Sequence, residues 1–309
     1  MDYSKIIDAE TWAFIHKTGE YYPPETVTYT VDQQRDIYDR MCRAFFQGYP
    51  DGITASDLLI GQIPTRQYAK SGTAPAATVM YFHGGGFVVG GLESHDDVCA
   101  EICDRTGLNV VSVDYRMAPE HKHPAMYDDC LAATRHILQS TDLPILLAGD
   151  SAGGNLAATV AHTLRDDARL IGQVLIYGGF GGDVDKGSFI THANAPLLTR
   201  DEILFYEGIR YEGGTRPEND PTAVPLDDKD FSNLPPTVII SAECDPITDG
   251  SQLYHQAILA AGGKSHWINE AGLVHGYLRA RTTVKRAADS FTRIIIALDA
   301  LAKGTWPYS

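Results

Sequence analysis

A serine flanked by glycines, in Gly149-Asp150-Ser151-Ala152-Gly153, lies between an apolar run at 143–148 and a helix-forming stretch that begins near Asn155. A serine on a sharp strand-to-helix turn keeps its hydroxyl exposed, and small neighbours relieve the crowding of so tight a turn. The helix behind it presents backbone N–H groups and the favourable end of its dipole to developing negative charge. Those are the requirements of a nucleophilic hydroxyl. The same pentapeptide also occurs in ordinary turns, so its meaning depends on what else the chain carries.

The segment His83-Gly84-Gly85-Gly86-Phe87 follows an apolar stretch at 77–82 that predicts a central strand. Consecutive glycines leave backbone N–H groups free to approach a substrate oxygen, as the oxyanion of an acyl-transfer intermediate requires. Each such donor contributes about 3 kcal/mol to the transition state. A flexible turn or a phosphate cradle would also use glycines. A phosphate loop continues into Gly-Lys-Ser/Thr, whereas this chain continues into Phe87-Val88-Val89.

An acid and a base are available downstream. A predicted strand at 237–242 ends in Glu243-Cys244-Asp245-Pro246, and one at 265–268 precedes Gly272-Leu273-Val274-His275-Gly276-Tyr277. Catalytic groups in open parallel sheets sit at the carboxyl ends of strands. His275 could then take the Ser151 proton and return it to a leaving group, with Asp245 holding the imidazole. There are rivals. Among 11 histidines, His266 falls inside a strand and His255 inside a helix pattern. Asp249 competes for the acid role but reads as the N-cap of a helix at 250–261, and Glu243 is a weaker competitor.

The elements that must position these groups alternate. Strands are predicted at 55–60, 66–69, 77–82, 109–114, 145–148, 173–177, 237–242 and 265–268. Helices are predicted at 95–106, 126–139, 153–165, 251–261 and 283–303. This pattern implies a mostly parallel α/β sheet with helices on both faces. Residues 1–50 read as a helical cap segment (helices at 8–18 and 31–46), and 51–309 as the catalytic domain. An insertion at about 180–234, with a helix at 200–211, breaks the alternation and reads as the rest of the cap. Caps shape a pocket and exclude water. A surface elaboration without function is the alternative.

From about residue 75 onward the chain resembles the hormone-sensitive-lipase-like esterases. These are bacterial family IV of the α/β-hydrolase fold, and the likeness is to their acetyl esterases in particular. The resemblance rests on His83–Phe87, Asp114-Tyr115-Arg116-Met117-Ala118-Pro119-Glu120-His121, Pro124-Ala125, 149–155, Asp245-Pro246 and His275-Gly276, in that order. The order Ser, Asp, His is that of α/β-hydrolases, unlike the chymotrypsin and subtilisin orders. The resemblance implies a triad of Ser151, Asp245 and His275. It also implies an oxyanion hole of the Gly85, Gly86 and Ala152 amides, with His83 and Gly84 as motif residues. Met117 stands where the family often has Leu, and His123 where it often has Phe. His121 and His123 have the look of a metal pair but lack a third ligand, so they read as structural. Phe87, Tyr177 and Phe180 are candidates for the substrate pocket or for the core.

Composition agrees with an enzyme of this kind. At 44% hydrophobic and 21% charged residues the chain fits a globular enzyme with a full core. A net charge of −15 argues against a nucleic-acid partner and against docking on an anionic membrane. Five cysteines at 42, 99, 103, 130 and 244 form no C-x-x-C pair, and no secretory signal or membrane span is evident. A reduced, cytoplasmic protein is expected, with no metal or cofactor and with a homo-oligomer left open. The reading is a serine carboxylesterase acting on short-acyl, acetyl-like esters. An amidase, peptidase or lipase on the same fold is the alternative, and a non-catalytic ligand-binding relative a more distant one.

Overall fold

The computed structural model describes residues 1–23 and 26–308, and all of their side chains except that of Val27. The helices are α1 (Ala9–Gly19), α2 (Val31–Phe45), α3 (Asp96–Thr106), α4 (Ala125–Ser140), α5 (Ala152–Leu164), the short α6 (Ser188–Thr191), α7 (Arg200–Arg210), α8 (Thr248–Ala260) and α9 (Lys285–Ala302). The strands are β1 (Ile53–Ile60), β2 (Ile63–Lys70), β3 (Thr78–Phe82), β4 (Asn109–Val113), β5 (Ile145–Asp150), β6 (Leu170–Ile176), β7 (Thr237–Cys244) and β8 (Ser265–Val274). They form one eight-stranded sheet in the order β1-β2-β4-β3-β5-β6-β7-β8. β2 pairs antiparallel with β1 and with β4, and the remaining neighbours are parallel. This is an α/β-hydrolase fold.

Both faces of the sheet are covered, so the central strands are mostly apolar and every residue of β3 and β5 is buried. The two-residue period of a strand sends Val79 and Tyr81 to one face and Met80 and Phe82 to the other. The first pair packs with Phe14, Met41, Val98 and Leu298 of α1, α2, α3 and α9. The second packs with Met126, Leu156 and Ile258 of α4, α5 and α8. α2 and α7 begin at capping boxes, Thr30 with Gln33 and Thr199 with Glu202. Among the described residues no helix is long and apolar enough to cross a membrane. All five cysteines are unpaired and buried.

β3 and β5 are neighbours, with Phe82 opposite Gly149, so the glycine loop after β3 lies beside the turn after β5. Helix α5 must then pass close to β3. A Cβ on Gly153 would lie 1.8 Å from the Phe82 carbonyl oxygen. Gly208, in the exposed interior of α7, leaves open space where a Cβ would stand, with nothing within 4 Å. Gly153→Ala should therefore lower stability by about 1–3 kcal/mol through overpacking. Gly208→Ala should raise it by up to about 1 kcal/mol through helix propensity. Urea midpoints of the two variants check this, and equal shifts would contradict it.

One expectation needs correcting. α8 starts at Thr248, so Asp249 is not its N-cap but lies inside the first turn. Its carboxylate accepts the Ser188 amide at 2.8 Å and ties α6 to α8.

Candidate active site

Ser151 occupies the junction of β5 and α5 with φ +54° and ψ −118°. Such a conformation costs a non-glycine residue about 1–3 kcal/mol and persists only where the surroundings enforce it. Here the Ser151 N–H donates to the Ile176 carbonyl at 2.9 Å, and the Ser151 carbonyl accepts from Asn155 N–H at 3.1 Å. Asn155 is itself anchored through Nδ2 to the carbonyls of Gly179 (2.7 Å) and Ala223 (3.0 Å).

β7 and β8 lie further along the same sheet edge, and their C-terminal loops bring the other two groups to Ser151. His275 Nε2 is 2.8 Å from Ser151 Oγ, and His275 Nδ1 is 2.7 Å from Asp245 Oδ2. The carboxylate only accepts, so the ring proton sits on Nδ1 and the Nε2 lone pair accepts the serine hydroxyl. Asp245 is 1% exposed, and its second oxygen accepts the Ile247 amide at 3.1 Å. Such a row can move a proton from the hydroxyl as it attacks a carbonyl.

Gly85, Gly86 and Ala152 line the same cavity of about 480 Å³ as Ser151 and His275. Among the described residues none accepts a hydrogen bond from the amides of these three. The loop requires glycine. Gly85 has φ +129°, and a Cβ there would meet the Val89 carbonyl oxygen at 2.0 Å. His83 orients the loop. It is fully buried, stacked on Tyr115 with ring centroids 4.3 Å apart, and its Nδ1–H donates to the Gly84 carbonyl at 2.8 Å. In a trans peptide the carbonyl and the next N–H point in opposite directions, so this bond also aims the Gly85 N–H. Burial, and after it the charge of His95, push the His83 imidazole down to about 4, so it is neutral at pH 7.

Asp150, the variable residue of the serine pentapeptide, is buried beneath the site. It accepts from Tyr81 Oη (2.9 Å) and Gly84 N–H (2.9 Å), and lies 3.2 Å from His95 Nε2. Burial alone would raise its pKa. The neighbouring charge and hydrogen bond of His95, with Arg279 and Tyr81, overcome this and hold it well below the usual carboxylate range.

Of the other expected residues, Phe87 and Tyr177 line the cavity, and the Tyr177 ring is 4.9 Å from that of His275. Phe180 does not line it. It is fully buried and stacked on Tyr254 at 4.9 Å, so it belongs to the core. His123 pairs with Asp220 at 3.0 Å. Among the described residues no cluster of His, Cys, Asp and Glu could hold a metal ion.

A family model described as alpha/beta hydrolase fold matches residues 79–279. Carboxylesterase NlhH of Mycobacterium tuberculosis is 38% identical over 233 residues, which is 71% of this chain and 72% of that protein. The ethyl acetate hydrolase of Pseudomonas putida is 30% identical over 249 residues, covering 76% and 78% of the two chains. A solved esterase of the bacterial hormone-sensitive lipase family superposes with a TM-score of 0.87 at 25% identity, over 96% of this chain and 99% of that one. The chain belongs to the hormone-sensitive-lipase-like esterases. It is a carboxylic ester hydrolase of the α/β-hydrolase fold.

Several residues around the site of this esterase escaped sequence reasoning. Arg35 of α2 donates to the Val88 and Ala118 carbonyls and makes a two-pronged contact with Glu120 at 2.8 and 2.7 Å. It thereby fastens the N-terminal helices to the loop after the glycines. Tyr206 of α7 covers Gly86, whose Cβ would lie 2.8 Å from its ring. Arg210 lies 3.6 Å from the Phe87 ring centroid, and Arg279 also lines the cavity. Arg35, Tyr206 and Arg210 come from segments without a motif, and only the fold brings them to the stretch 86–88 beside the glycine loop.

Proposed function

We propose that the chain hydrolyses short-acyl, acetyl-like esters through an acyl-enzyme on Ser151, with His275 as general base and acid and Asp245 as its orienting carboxylate. The observation that carries this reading is the unbroken row from Ser151 Oγ through His275 to Asp245, at 2.8 and 2.7 Å. Ser151 Oγ attacks the ester carbonyl carbon as Nε2 takes its proton. The carbonyl oxygen becomes an oxyanion held by the amides of Gly85, Gly86 and Ala152. Collapse breaks the bond to the alcohol oxygen, which receives the proton from Nε2. Water, deprotonated by the same nitrogen, attacks the acyl-serine, and the acid leaves as Oγ regains its proton.

The acetyl preference rests on likeness to relatives, among them the enzyme named ethyl acetate hydrolase. The cavity, within the usual size range of ligand pockets, accommodates such esters. Residues 1–50 and the insertion at 180–234 act in this reading as a cap that keeps bulk water from the acyl-enzyme. Phe14, Tyr38 and Tyr206 support this, since they line the cavity from those two segments. A cytoplasmic location is part of the proposal, supported by five unpaired buried cysteines.

A series of p-nitrophenyl esters of increasing acyl length tests the substrate class. The kcat/KM should be highest for the acetyl to butyryl members, and a maximum at octanoyl or longer would replace the short-acyl reading.

A further inference from the structure

Three arginines line the cavity that holds Ser151: Arg210, Arg216 and Arg279. They differ in what occupies their donors. Arg216 lies 3.8 Å from Glu207, an ion pair within the wall. Arg210 is buried, stacked on Phe87, with Nη2 turned to Asn155 Oδ1 (3.3 Å) and the Ala223 carbonyl (3.4 Å). Arg210 and Arg279 both lack a carboxylate within 4.0 Å among the described residues, and the buried Arg210 Nε has no hydrogen-bond partner there. Arg279 Nε donates to Cys42 Sγ at 3.3 Å and its Nη2 to Tyr38 Oη, and its Nη1 has no protein partner among the described residues. An arginine is charged at every working pH, and its planar fork suits a carboxylate.

The acids that line the cavity are otherwise engaged. Asp150 is held by Tyr81, the Gly84 amide and His95. Glu202 accepts from the Thr199 amide and hydroxyl at 2.7 and 2.8 Å, and Glu207 faces Arg216. In a chain with 40 acidic and 25 basic residues, a cavity guanidinium with no carboxylate within 4.0 Å among the described residues is unexpected, and of the two Arg279 is the one that follows His275 in the chain. Asp150 offsets part of the Arg279 charge from a distance, but the Nη1 donors have no acceptor among the described residues and remain for an anion supplied from outside.

Its position says which end of the substrate would supply it. Arg279 belongs to the short turn Tyr277–Ala280 that directly follows His275-Gly276. His275 must hand its proton to the leaving oxygen, so the alcohol part of the ester passes on the His275 side. We propose that Arg279 is an anion-recognising residue on the leaving-alcohol side, and that the preferred esters carry a carboxylate on their alcohol part. This rests on the acyl-enzyme reading above and narrows it to esters of hydroxy acids.

Acetylated 3-hydroxybenzoate and acetylated 3-hydroxybenzamide differ in charge and little in shape. Each kcat/KM is divided by the rate of the same ester with hydroxide, which removes the difference in leaving-group reactivity. The anionic ester should be favoured about tenfold or more, as for a charge-assisted hydrogen bond. Arg279→Gln should bring the ratio to about one, Arg279→Lys should retain part of it, and added salt should shrink it. A wild-type ratio of one or less, or a ratio unchanged in Arg279→Gln, overturns the inference.

Phenyl acetate separates this from failure of the reading beneath it. No turnover of any of the three esters, with no labelling of Ser151 by a fluorophosphonate, would sink the hydrolase mechanism itself. If Arg279→Gln fails to fold, the wild-type protein decides. As competitors of phenyl acetate, 3-hydroxybenzoate should bind about tenfold more tightly than 3-hydroxybenzamide, and equal inhibition counts against the proposal.

Discussion

Ser151→Ala should lower kcat on p-nitrophenyl acetate by about five to six orders of magnitude while the protein stays folded. Loss of a nucleophile that acts as one unit with its base removes nearly all of the chemistry, leaving the smaller contribution of the oxyanion donors and binding. The stability effect should stay below about 1 kcal/mol, because the hydroxyl makes one hydrogen bond at a half-exposed site. Alanine keeps the strained φ of +54°, which the Ile176 and Asn155 contacts hold through the backbone. The variant should also resist labelling by a fluorophosphonate. Turnover within tenfold of wild type would remove Ser151 from the mechanism, and a collapsed melting temperature would make the activity loss a folding effect.

Asp245→Asn should cost about four orders of magnitude in kcat, and Asp249→Asn less than about tenfold. A carboxylate at 245 only accepts, so it keeps the His275 proton on Nδ1. An amide there can donate its NH₂ to Nδ1, which puts the ring proton on Nε2, where it can no longer accept from Ser151. Wrong tautomers of this kind cost about 10⁴ in serine hydrolases. Asp249 points elsewhere. Its carboxylate receives the Ser188 amide at 2.8 Å, and the Ser188 hydroxyl donates to the Pro246 carbonyl at 2.6 Å. Asparagine can still accept at 249 through its carbonyl oxygen, so α6 stays attached. Steady-state kinetics of the two variants side by side check this, and the reverse ranking would move the acid to Asp249.

These two acids show where reading residues in a line stops. Four positions apart in one loop-to-helix segment, they differ little in local composition. What separates them is the direction of the chain after β7: Asp245 leaves the strand end toward His275, while α8 begins at Thr248 and turns Asp249 to α6. β8 shows a related limit. Its apolar pattern predicts an end at 268, yet the strand runs on to Val274. It can do so because the fold supplies Arg293 for the otherwise costly buried Glu270, at 2.8 Å. Phe180 is apolar and close in sequence to Tyr177, so nothing local separates pocket from core. The stacking partner that decides it, Tyr254, lies on α8.

By itself the sequence determined the alternation of strands and helices, the glycine loop, the serine turn and the order of the acid and base, because these depend on short-range patterns of apolar period and turn chemistry. Only the tertiary structure decided which side chains meet. The sheet order brings the C-terminal ends of β3, β5, β7 and β8 together, and side chains from the N-terminal helices and from residues 180–234 line the cavity beside them. Arg279 and Tyr206 owe their surroundings to that packing, and Asp150 owes its contacts with Tyr81 and Gly84 to the pairing of β3 with β5. Distance along the chain carries no information about it, since long-range contacts form wherever burial of both faces and pairing of buried charges are satisfied together.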